Sequence, residues 1–202
     1  MALILDPNSS VGQFLSDRNR LRQYDFLETC FFVSDYGLQI DQDFLCSLNL
    51  YATQYISPQP GHYRRHYNVI VGAHTPSDWC LILDEMNMFI DTLHKKWSEF
   101  DPLQAAGYAL WGVNHVHPFC DGNGRTARAL MYYVLCKKVG RWLPGTTTVM
   151  ELIRSDTHDQ MCEIMQRMHD AKLPRTMDTD LTEITVFLND LVLKQLATAS
   201  QP

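Results

Sequence analysis

A twelve-residue run, His117-Pro118-Phe119-Cys120-Asp121-Gly122-Asn123-Gly124-Arg125-Thr126-Ala127-Arg128, lies between two apolar stripes of helical spacing. Before it, Leu103, Ala106, Gly107, Leu110 and Trp111 recur as one buried face. After it, Ala127, Leu130, Met131, Val134 and Leu135 form a second stripe, with Lys137 and Lys138 in the last turn and Gly140 as the stop. The run is therefore a turn between two helices.

A turn of this composition suits a phosphate. The first amides of the second helix lack intrahelical partners and carry the positive end of its dipole. Gly122 and Gly124, with no Cβ, let the backbone approach an anion closely. Arg125 and Arg128 stand three residues apart on one helix face, where guanidinium groups can fork onto phosphate oxygens. Asp121 supplies the hard oxygen that Mg²⁺ prefers when substrate phosphates also hold it. His117, at the end of the preceding helix, can take a proton from a hydroxyl nucleophile. The chemistry these residues imply is attack on a nucleotide phosphorus.

The run satisfies all nine specified positions of His-Pro-Phe-x-(Asp or Glu)-Gly-Asn-Gly-Arg-x-x-Arg, and on those residues the chain resembles the Fic family. The resemblance implies an all-α, Fic-type helical bundle with a short β-hairpin flap over the active site, residues 1–202 forming a single domain. It further implies a protein adenylyltransferase that moves AMP from ATP to a Ser, Thr or Tyr hydroxyl of a target protein and releases pyrophosphate. On this pattern His117 is the general base and Asp121 the Mg²⁺ ligand, while Asn123 contacts the α-phosphate. Gly122 and Gly124 form the backbone anion hole, Arg125 and Arg128 hold the β- and γ-phosphates, and Phe119 anchors the motif in the core. Another nucleotide or diphosphate donor, the reverse reaction that removes AMP, and a non-catalytic binding module are alternatives within the same family pattern. An intact Gly124 argues against kinase-like relatives that carry lysine there, and intact His117 and Asp121 argue against the binding module.

The rest of the chain reads as scaffold. Apolar positions Leu21, Tyr24, Phe26, Leu27 and Phe31, then Phe44, Leu45, Leu48 and Tyr51, predict helices joined by a turn at Asp35-Tyr36-Gly37. Leu81, Leu83, Met86, Phe89, Ile90 and Leu93 predict another, and Asp101 with Pro102 marks the start of the helix leading to the motif. A helix around Ile153 to Lys172 and a last one carrying Leu181, Ile184, Phe187, Leu188, Leu191 and Val192 complete the set. Between them, Ser57-Pro58-Gln59-Pro60-Gly61 breaks helix, and Tyr67-Asn68-Val69-Ile70-Val71 is prone to β structure. This stretch, about residues 61–72, is similar to the Fic flap, to which a target segment adds by main-chain pairing; Gly61, Tyr63, Arg64, Val69 and Ile70 are its docking candidates.

A net charge of -6 and a pI near 5.7 argue against a nucleic-acid surface. The six cysteines contain no Cys-x-x-Cys pair, and His115, His117, Cys120 and Asp121 fit no common zinc spacing. No signal peptide or membrane span is evident, so a cytoplasmic protein is expected, without membrane partners. Many Fic proteins carry an inhibitory (Ser or Thr)-x-x-x-Glu-(Gly or Asn) helix. Thr147 to Glu151 and Thr179 to Glu183 match it except at the final position, leaving Glu183 as a candidate intramolecular inhibitor and a separate antitoxin-like protein as the other source of regulation.

Overall fold

The computed structural model describes residues 6, 8–33, 40–65, 69, 71–173 and 175–199. These form eight helices: α1 Ser10–Val33, α2 Gln42–Thr53, α3 Ile82–Lys95, α4 Pro102–Val116, α5 Asn123–Val139, α6 Val149–Ser155, α7 His158–Ala171 and α8 Thr182–Ala199. The fold is all-α. The expected turn at Asp35-Tyr36-Gly37 falls outside the described residues.

The centre is the antiparallel pair α4 and α5, with α2, α3, α7 and α8 laid around it. Helix α4 begins where the sequence directs, with Pro102 at its first position. Asp101 accepts from the amides of Leu103 and Gln104, and Gln104 returns a bond to the Asp101 amide. Every residue from Ala105 to Val113 is buried, so α4 is covered on all sides. Small residues make this packing feasible. A Cβ on Gly112 would lie 2.2 Å from the Phe89 ring, so α3 can seat its aromatic residue only against a bare backbone. Helix α5 ends at Gly140, whose φ of 78° gives the left-handed stop, and Lys138 caps the neighbourhood by donating to the Trp97 carbonyl at 2.6 Å.

Two expectations change with the tertiary structure. In α3 the buried stripe is Ile82, Met86, Phe89, Ile90 and Leu93, while Leu81 and Leu83 are exposed because they lie on the flanks of that face. The single helix expected around Ile153 to Lys172 is two, α6 and α7, broken at Asp156 and Thr157. There the Thr157 hydroxyl bonds back to the Leu152 carbonyl at 3.2 Å and competes with helix continuation.

All six cysteines are free thiols. No described helix is long and apolar enough to cross a membrane.

Candidate active site

The motif loop is closed by its own asparagine. Asn123 is buried, its amide donating to the Phe119 carbonyl at 2.8 Å and its oxygen accepting from the Phe119 amide at 2.9 Å. Both polar ends of that side chain are thereby used within the loop. Phe119 is fully buried, and its ring lies 5.2 Å from that of Tyr63.

Gly122 is the N-cap of α5 with φ 79°, a conformation that favours glycine. Its position is also crowded: a Cβ there would sit 2.3 Å from Thr53 Cγ2 and 3.0 Å from Asn49 Nδ2. The first helical bond runs from the Thr126 amide to the Gly122 carbonyl at 2.9 Å, which leaves the amides of Asn123, Gly124 and Arg125 without acceptors among the described residues. These amides face the start of the helix, where the dipole favours an anion. Gly122→Ala combines a left-handed strain with a steric clash, and should lower stability by about 2–3 kcal/mol and weaken nucleotide binding; thermal melts with and without ATP check it.

Asp121 accepts the Gly122 amide at 2.6 Å on one oxygen and Arg125 at 2.8 Å on the other, and its side chain is 45% exposed. The remaining lone pairs are open to solvent. A single carboxylate in this setting fits Mg²⁺, which binds through one or two carboxylates and completes its shell with water and substrate phosphates. Arg125 is fixed by a second bond, 2.7 Å to the Ala52 carbonyl at the end of α2.

His117 ends α4 in the left-handed region, φ 52° and ψ 56°. Its carbonyl accepts from Arg64 Nε at 2.9 Å, and the Arg64 amide donates to the Pro118 carbonyl at 2.7 Å. The imidazole Nδ1 is buried without a hydrogen bond of good geometry, although the Asn114 backbone is near enough to favour the protonated ring. The residue borders the adjoining cavity. Burial lowers the pKa of His117 to about 4, and the positive fields of Arg64 and His74 add to the effect. The ring is neutral at pH 7 and available as a base.

Two cavities flank the motif. One, of about 390 Å³, is mostly apolar and bordered by His117, Asn114, Val71, Met161, Met165 and His169. The other, of about 210 Å³, receives Arg125 and Arg128. His117 thus borders one cavity, and Arg125 and Arg128 border the other.

The flap residues divide differently. Tyr63 forms an isolated antiparallel bridge to Phe119, and Val71 another to His74, with amide-to-carbonyl distances of 3.0 Å in both directions of the second. Among the described residues these are the only β pairings, and the expected continuous hairpin is not formed by them; Ile70 lies outside the described residues. Val69 is half-buried and outside any strand. Arg64 is buried and also donates to the Ser77 carbonyl, so it braces the motif from within instead of facing a target. Tyr63 is half-buried against the same loop, and Gly61 donates to Asn49 at 3.0 Å.

Asn49 is a site residue that periodicity did not single out. Fully buried on α2, it donates to the Asp121 carbonyl at 2.9 Å and to the Thr126 hydroxyl at 3.2 Å, and accepts from Gly61. One side chain ties helix, flap base and motif together. The available signal was an amide on the buried face that Leu45, Leu48 and Ala52 define.

Glu183 does not approach Arg128. It is exposed on α8 and paired with Arg167 of α7 at 2.8 and 2.6 Å, which removes it as an intramolecular inhibitor in this structure. Helix α8 packs on α4, α6 and α7, and Glu183 does not line the arginine cavity.

The Fic/DOC family model matches residues 39–135. A relative, the "Protein adenylyltransferase Fic" of Drosophila persimilis, is 35% identical over 86 residues, 41% of this chain. The chain spans 16% of that relative's length. Among solved structures, a Fic domain containing signaling protein from Bacteroides thetaiotaomicron superposes with a TM-score of 0.75 at 16% identity, covering 95% of this chain and 73% of that one. The BepC protein of Bartonella tribocorum gives 0.59 at 15% identity, covering 89% of this chain and 87% of that one. Motif, fold and relatives converge on the Fic/DOC family, whose model matches residues 39–135 of this chain.

Proposed function

We propose that this chain is a protein adenylyltransferase that transfers AMP from ATP to a hydroxyl side chain of a target protein. The observation that carries this reading is the meeting, at one helix start, of a neutral half-buried base, unpartnered amides and two arginines. The flanking cavities support a nucleotide lying across the motif, its base on the apolar side and its phosphates on the arginine side. The solved BepC protein, similar in fold, holds AMPPNP.

In the proposed reaction the target oxygen attacks the α-phosphorus and its proton passes to Nε2 of His117. The bond from that phosphorus to the bridging oxygen breaks, and pyrophosphate leaves with the electron pair. The amides of residues 123–125 and Arg125 are placed to hold the negative oxygens. Asp121 would hold Mg²⁺, which when bound neutralises charge on the phosphate oxygens. Target choice would rest on exposed flap residues such as Val71, since Arg64 is committed internally.

Incubation with ATP labelled at the α-phosphate, alone and with cell extract, tests the reading. Label on protein is the expected result. In a parallel incubation with ATP labelled at the γ-phosphate, label on protein would indicate phosphoryl transfer and overturn the reading.

A further inference from the structure

Three imidazoles that the motif does not use converge beside the cavity that His117 borders. His74 comes from the turn that Val71 closes, His115 from the last turn of α4 and His169 from the last turn of α7. One ring nitrogen of each lies within 4.8 Å of the other two. Nδ1 of His115 is 3.0 Å from Nδ1 of His169, and His74 stacks on His169 with ring centroids 3.8 Å apart. All three are half-buried, and His74 and His169 line the cavity of about 390 Å³. They lie far apart in the chain, so no ligand spacing announces them.

The contacts around these rings are those of a ligand set. His74 Nε2–H donates to the His115 carbonyl at 2.8 Å, so the neutral ring carries its lone pair on Nδ1. A second nitrogen held by a carbonyl is the support that orients metal-bound imidazoles. Between His115 and His169 two ring nitrogens face each other across 3.0 Å, so one of them offers a lone pair to the proton of the other. An ion replaces that proton, which moves to Nε2 of its own ring and leaves both Nδ1 lone pairs for the metal. Two nitrogens about 2.0 Å from a tetrahedral ion stand about 3.3 Å apart, close to the separation of this pair. His74 has at most about 1.5 Å to close, which rotation of its side chain covers. Trp111 stacks on His115 at 4.8 Å and holds that ring in place.

We infer that His74, His115 and His169 form a binding site for a single divalent ion of the zinc class, its fourth position taken by water from the cavity. Imidazole donors suit Zn²⁺, Ni²⁺ and Cu²⁺, whereas Mg²⁺ and Ca²⁺ prefer oxygen, so this site is separate in chemistry from the one proposed at Asp121. The ion clamps the turn carrying His74 to α4 and α7. His115 lies two residues before His117, so the clamp also fixes the end of the helix that carries the proposed base. Metal binding here does not depend on the transfer reading and is measured without nucleotide.

The metal-free full chain is titrated with Co²⁺, followed by visible absorption, and with Zn²⁺ in competition with a chromogenic chelator. One Zn²⁺ per chain is expected, displacing a Co²⁺ ion whose intense ligand-field bands mark tetrahedral coordination. His74→Gln and His169→Gln should each weaken Zn²⁺ binding by about a hundredfold or more, since losing even a supporting partner of a ligand costs about 10- to 100-fold. Zn²⁺ should raise the melting temperature of the wild type and not that of His74→Gln, whose metal-free melting temperature shows that it folds. Cys162→Ser removes the exposed thiol beside His158 and should leave the affinity unchanged. The inference is overturned by a wild-type chain that binds no Zn²⁺, by wild-type affinity in both glutamine variants, or by loss of binding in Cys162→Ser, which places the ion at the His158 and Cys162 pair. Label transfer by a chain that binds no Zn²⁺ sinks the metal site alone. Histidine-dependent Zn²⁺ binding in a chain that never transfers label supports the site and sinks the transfer reading instead.

Discussion

His117→Asn should abolish most of the proposed transfer, by about 10²- to 10⁴-fold, and leave ATP binding within about twofold, because the proposed phosphate contacts come from other residues. Asparagine is the better replacement than alanine for a structural reason. Position 117 has φ 52°, and Asn tolerates the left-handed region that strains Ala. The backbone contacts to Arg64 and Val113 use the carbonyl and amide of residue 117 and survive the change. His117→Ala should show the same loss of transfer with a lower melting temperature. The pH profile gives a second readout: with the pKa lowered to about 4, kcat/KM stays flat between pH 8 and 6. An imidazole at its ordinary value would be about three-quarters protonated at pH 6. Retained turnover in the Asn variant, or an acid limb near pH 6.5 in the parent, would remove His117 as the base.

Acid should unfold this chain early. His115 and His169 have pKa values lowered to about 3 and His117 to about 4, each chiefly by burial and then by neighbouring positive groups. His115 and His169 meet Nδ1 to Nδ1 at 3.0 Å, His74 stacks on His169 at 3.8 Å, and Trp111 stacks on His115. Neutral rings fit this cluster and imidazolium groups do not. The unfolded chain takes up these protons near pH 6.5, whereas the folded chain takes them up only near their lowered values. Stability is therefore fully present above pH 6.5 and falls as pH drops from there toward 4 and then 3. Each histidine removes about 1.4 kcal/mol per pH unit at most, and their mutual coupling makes the sum smaller than additive. Against a total stability of about 5–15 kcal/mol, the loss by pH 5 is large. Melting temperatures followed by circular dichroism from pH 7.5 to 4.5 should fall steeply, and His169→Phe should flatten the slope by about a third. A melting temperature constant from pH 7 to 5 would contradict this account.

His74 connects that cluster to the flap, its Nε2–H donating to the His115 carbonyl at 2.8 Å while its ring covers His169. Protonation would thus loosen the flap end as well as the core. Histidines 115 and 169 are both half-buried. Their pairing across fifty-four residues carries no sequence signal, since contacts between separate helices leave no periodic trace.

Local chemistry was legible where it is completed by neighbours in the chain. Asp101 and Pro102 begin α4, Gly140 ends α5, and Gly122 turns into α5, because caps and left-handed positions involve residues within a turn of one another. The motif could be read for the same reason: its base, amides and arginines need only one loop and one helix start to converge. The exposure of Leu81 and Leu83 beside the buried face of α3, the break between α6 and α7, and the internal use of Asn123 and Arg64 were not legible in this way. Each depends on which atoms arrive from elsewhere to take up a polar group or cover an apolar one. Asn49 joins Gly61 and Asp121, Arg167 takes Glu183, and Arg20 and Arg154 close around Arg128 only when helices distant in sequence pack. The sequence by itself thus determined the helices and the local chemistry of the motif, since both are set over a few residues; the tertiary structure alone decided what surrounds that motif, since burial and charge compensation are properties of space and not of spacing.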